Sequence, residues 1–139
     1  MHCESARFSG LAEVLRRAGK TACRHDGLRN GVGVIGIRAV QAGALTSAVD
    51  RSLAPDHPEM RDYARAAGFR RLAEELGTIP AALTHRYALS LDSDTLVPGV
   101  KNRRGLAECV TAAEAGPLPP ELMDRVDAAA REQRRVANC

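Results

Sequence analysis

Within the stretch Thr95-Leu-Val-Pro-Gly-Val-Lys-Asn-Arg-Arg-Gly-Leu-Ala-Glu108, one glycine, one lysine and two arginines fall inside six residues. An apolar pair, Leu96 and Val97, runs into Pro98-Gly99, and the basic loop beyond it opens into a segment with Leu106, Val110 and Ala113 on one side. That order predicts a strand, a tight turn and a helix from about Arg103 to Ala115. Gly99 lets a bound group approach the backbone closely, and the first amides of the helix are donors without partners. Lys101, Arg103 and Arg104 bring positive charge to the same place. Such a corner suits a phosphate. The plainer reading of the same charges is a solvated basic face.

Other residue types capable of chemistry lead nowhere as firm. Cys3, Cys23, Cys109 and Cys139 lie far apart, with no Cys-x-x-Cys pair. His2, Cys3, Cys23 and His25 match no standard zinc spacing, so no metal is expected. Tyr63 and Tyr87 fall on helical stripes and read as packing residues, while His85 reads as structural or exposed. No catalytic group can be named. With four widely spaced thiols and no apolar leader or membrane-length apolar run, a reduced, cytoplasmic chain is the expectation.

The whole chain of 139 residues is the size of one domain, with 20 basic and 17 acidic side chains. The excess is small and the charges alternate along helical faces, and the aromatic residues are only Phe8, Tyr63, Phe69 and Tyr87. Nucleic-acid binding through a basic surface with stacking rings has little support. The core must be built from Ala, Leu and Val.

The elements follow from periodicity. Leu11, Val14, Leu15 and Ala18 predict a short helix over 9–18. Residues 32–38 are continuously apolar up to Arg38 and β-branched, which predicts a strand buried on both faces. Small residues, Ala39-Val40-Gln41-Ala42-Gly43-Ala44-Leu45, follow at its carboxyl end, where parallel α/β folds bind ligands. A polar loop over 48–57 ends with Asp56 or His57 as a cap. One helix then carries Met60, Ala64, Ala67, Phe69, Leu72, Ala73 and Leu76 inward and ends at Gly77. A second begins at Pro80, with Ile79, Leu83, Tyr87 and Leu91 four apart. The second strand spans about 95–98, and a last helix starting near Pro120 turns Leu122, Val126, Ala129 and Ala130 inward. Residues 132–139 read as a fraying tail.

Three of these motifs, in order, resemble the C-terminal part of the aldo-keto reductases. The last strand and helix of that family read roughly Ile-Pro-Gly or Ile-Pro-Lys, a short basic loop, then Gln or Arg, Leu, any residue, Glu, Asn. Here the matching positions are Val97-Pro98-Gly99, Val100-Lys101-Asn102, Gly105, Leu106, Glu108 and Cys109. Gly105 replaces a polar or cationic residue and Cys109 an Asn. Ahead of it, the family's apolar run and Gly-containing turn correspond to Ile37-Arg38-Ala39-Val40 and Gly43-Ala44-Leu45-Thr46, with Ile37 where an aromatic ring is frequent. Between the strands, Glu75-Leu76-Gly77-Thr78-Ile79-Pro80 matches the family's helix, Gly-Thr-x-Pro, helix pattern, and Gly116-Pro117-Leu118 matches its close.

The resemblance implies an α/β chain carrying the last two β/α units of a (β/α)8 TIM barrel, as residues 31–131, behind an N-terminal segment 1–30 with no evident counterpart. It implies NADPH as the cofactor of a carbonyl oxidoreductase. The residues it points to are Arg38, Ala39, Val40, Gly43 and Leu45 after the first strand, and Gly99, Val100, Lys101, Asn102, Gly105, Glu108 and Cys109 after the second. Arg38 remains open between a pyrophosphate contact and a charge that simply reaches solvent. A full barrel needs roughly 250 residues, and the family's catalytic Tyr, Asp, Lys and His come from its first four strands. The chain therefore reads as a truncated, inactive cofactor-binding portion, or as a non-catalytic module that pairs with a complementary barrel fragment or with itself. An unrelated small α/β or helical protein, offering a basic surface to acidic partners, is the third reading.

Overall fold

The computed structural model describes residues 29–91 and 93–137, with side chains to residue 130. The helix expected over 9–18, and Cys3, Cys23 and Cys139, lie outside the described residues. Two short strands, β1 (Ile35–Ile37) and β2 (Thr95–Val97), pair in parallel, with Ile35 beside Thr95, Gly36 beside Leu96 and Ile37 beside Val97. Among the described residues, five α-helices complete the order: α1 (Pro58–Arg65), α2 (Ala67–Glu75), α3 (Pro80–Leu89), α4 (Arg103–Ala115) and α5 (Pro120–Ala137). The sequence reading of a parallel α/β chain and the span given for α4 both agree with this.

Four expectations need correction. The first strand is not buried on both faces: Gly36 is covered, but Ile35 is 63% exposed, and Val97, which pairs with Ile37 on that same face, is 52% exposed. An apolar, β-branched run signals a face fit for burial, and only neighbouring strands or helices can bury it. The helix expected as one piece after His57 is two. At Ala66 the backbone opens to ψ 11°, and its N–H bonds to both Tyr63 O and Asp62 O, which re-aims the chain by one tight turn. Beyond the break, Phe69, Leu72 and Ala73 are buried in the core.

The third correction concerns α4. Leu106 and Val110 are about half exposed, and Ala113 is exposed too. The helix instead packs against α3 with Cys109, which meets His85, and the buried Ala112. Finally, α5 continues past Arg131 to Ala137.

The core lies among the helices. Leu45, Phe69, Leu72, Ala73, Leu83, Tyr87, Leu118 and Val126 form one buried cluster, drawn mainly from α2, α3 and α5. Tyr87 donates to the buried Asp127 at 2.7 Å, so its polar end is satisfied inside that cluster. The C-terminal half of α3 also fixes the chain between α4 and α5: Arg86 donates to Gly116 O at 2.9 Å, and Leu118 N–H donates to Ser90 Oγ at 2.7 Å.

Candidate functional site

The parallel register brings the carboxyl ends of β1 and β2 to one edge, so the two loops that follow them lie side by side. A side-chain contact joins them directly: Lys101 Nζ, after β2, meets Asp50 Oδ2, in the loop after β1, at 2.6 Å. Lys101 holds the Asp50 carboxyl below its usual range. Both groups are more than half exposed, so the contact weakens with salt.

The β2 side of the edge is a helix entrance. Asn102 adopts extended backbone and its Oδ1 accepts from Gly105 N–H at 2.8 Å, capping α4. The Leu106 amide bonds to Asn102 O. The amides of Arg103 and Arg104 are left as the donors at the mouth of the helix. Val100, Lys101, Asn102, Arg103 and Leu106 line an open depression of ≈ 530 Å³ around that mouth. A side chain at position 99 would meet nothing within 4 Å, so Gly99 borders open space next to this depression in the chain.

The β1 side is built differently. Arg38, Gln41 and Ala42 all have positive φ, at 60°, 51° and 54°, a conformation costing roughly 1–2 kcal/mol for each residue with a Cβ. The chain turns there in a 3₁₀ turn over Gln41–Gly43, and Gly43 at φ 98° completes it. Ala39 and Leu45 are buried, 8% and 1% exposed, and anchor the loop from within. Arg38 is exposed and adds positive charge near Glu59. Arg51 ties the loop to α1 by an ion pair with Glu59 and donates to Ala42 O at 2.9 Å.

The residues named from sequence therefore divide. Gly99, Val100, Lys101 and Asn102 gather at the α4 entrance, and Arg38, Val40 and Gly43 stand on the neighbouring loop. Ala39 and Leu45 turn their side chains into the protein. Glu108 pairs with Arg104 at 2.9 Å. Cys109 faces α3, with its Sγ 3.4 Å from His85 Nε2. Burial raises the Cys109 thiol and lowers the His85 imidazole, so both are held neutral. His85 Nδ1 is buried with no hydrogen-bond partner.

Asp50, Arg51, Glu59 and Arg70 escaped the sequence reading. Each is an ordinary charged residue in a polar loop or on a helix face, and only the three-dimensional closure of the β1 loop gives it a partner. Among the described residues no group of three or more metal-ligating side chains occurs, and no helix is long and apolar enough to cross a membrane.

A model of the aldo/keto reductase family matches residues 9–131, which takes in both strands and begins upstream of the motifs quoted above. Comparison with curated proteins and with solved structures finds no match.

Proposed function

Because the chain belongs to the aldo/keto reductase family, we propose that it carries the dinucleotide-holding part of an NADP-dependent carbonyl oxidoreductase, as the last two β/α units of the barrel. The carrying observation is the joining of the two loops by Lys101 and Asp50 at the carboxyl edge of parallel strands. Ligands of α/β barrels bind at that edge. The donor set fits an anionic dinucleotide: a lysine, an arginine-bearing helix entrance with two amides to offer, and a glycine approach with open space above it. Lys101 would exchange Asp50 for a phosphate oxygen, one anion for another. Arg38 would add charge from the β1 loop. Cys109, turned toward His85, offers a ligand less than the Asn that the family carries there.

When bound, the dinucleotide supplies a hydride to a carbonyl carbon. The carbonyl oxygen then needs a proton donor within hydrogen-bond reach. Tyr63 donates to Ser47 O and Tyr87 to Asp127, so both phenols already serve the fold. We read the chain as holding the cofactor without completing the reduction itself, in a reduced, cytoplasmic setting.

Fluorescence titration of the full chain with NADPH tests this. Saturable binding weakened about tenfold by Lys101→Ala is expected, in line with loss of a charge-assisted contact. Binding that ignores Lys101→Ala would place the cofactor elsewhere, and no binding at millimolar NADPH would end the proposal.

A second reading is favoured by one observation: Val32, Ile35 and Val97 are 60%, 63% and 52% exposed. Apolar strands left open in this way suit a module that assembles with another chain. Sedimentation of the chain at rising concentration separates the two, since that reading requires association and the first does not.

A further inference from the structure

The loop after β1 takes a shape its own residues do not favour. Gln41 and Ala42 sit at positive φ without glycine's freedom, and so does Arg38 at the loop's entrance. Such a conformation persists where surrounding groups impose it. Here the imposing groups are visible. Three side chains from outside the turn reach three successive stretches of its backbone: Arg51 donates to Ala42 O at 2.9 Å, Arg70 to Ala44 O at 3.1 Å and Tyr63 to Ser47 O at 2.7 Å.

We propose that Tyr63 and Arg70, from the α1–α2 corner, are positioning residues that hold the β1 loop in its dinucleotide-receiving shape, and this rests on the cofactor-holding reading above. Their geometry favours a bracket over incidental contacts. The Arg70 guanidinium lies 3.7 Å from the centre of the Tyr63 ring, so each side chain fixes the other while both hold the loop. Arg70 is partly buried against the loop. Tyr63 lies on α1 before the break at Ala66 and Arg70 on α2 beyond it, and both reach the loop after β1.

Tyr63→Phe is the surgical variant, because it keeps the ring under Arg70 and removes only the donor to Ser47. Amide exchange over residues 43–48 should become about fivefold faster, as the loss of one hydrogen bond implies, while protection in α2 and α3 stays the same. NADPH should bind about fivefold more weakly. Arg70→Met should weaken binding similarly, and Arg70→Lys, which keeps a cation over the ring and a donor toward Ala44, should restore it. Unchanged exchange over 43–48 in Tyr63→Phe overturns the bracket. Faster exchange with unaltered NADPH affinity overturns its positioning role. If the unmodified chain binds no NADPH at all, the cofactor reading fails and the positioning role fails with it, while the exchange data still report whether the bracket holds the loop.

Discussion

The helical layer and the sheet edge are two different kinds of structure. In the first, Phe69, Leu83 and Val126 are 1–2% exposed and share one cluster with Tyr87, whose hydroxyl is satisfied by Asp127. In the second, three-residue strands carry apolar side chains into the open, and the loops beyond them are held by side-chain hydrogen bonds and ion pairs. The helices hold themselves together. The edge is held by contacts within its own loops and by side chains that reach it from α1 and α2, and it keeps backbone and charge available to a ligand.

That contrast makes its largest prediction about substitutions of similar chemistry. Phe69→Ala should cost about 3–5 kcal/mol in denaturant unfolding, because it removes a filled aromatic site from the common cluster. Val97→Ala should change stability by no more than about 0.5 kcal/mol, since its side chain already meets water. Equal effects would mean that the sheet face is covered in solution and that the core extends across it.

A smaller effect concerns the seam between the two regions, where α4 meets α3. Burial holds the His85 imidazole below its ordinary value of 6.5, so the unfolded chain takes up this proton first as the pH falls. Stability should therefore decline as the pH is lowered below about 6.5. His85→Gln should remove that part of the slope in urea unfolding between pH 7 and 5. A slope unaffected by His85→Gln would assign the decline to other groups.

The elements were legible in the sequence where local signals are strong. Pro120 at a first helical turn marked the start of α5, and Gly77 marked the end of the helix before Pro80. The orientation of α4 was not legible. Leu106 and Val110 are larger apolar residues than Cys109 and Ala112, yet the smaller pair faces inward because α3 lies on that side. The break at Ala66 has no proline or glycine at the residue itself to announce it. Within the candidate site, the glycine and the basic residues were readable from their spacing. Asp50 and Arg70 were not, because each acts on a segment far along the chain, at separations of 51 and 26 residues.

Whether the edge between the strand ends receives a dinucleotide is tested most directly by mapping backbone amide shifts of the full chain during NADPH titration. The perturbed amides should cluster in residues 38–45 and 99–105, with those of α5 unmoved. Shifts confined to other elements, or none at saturating NADPH, would contradict it.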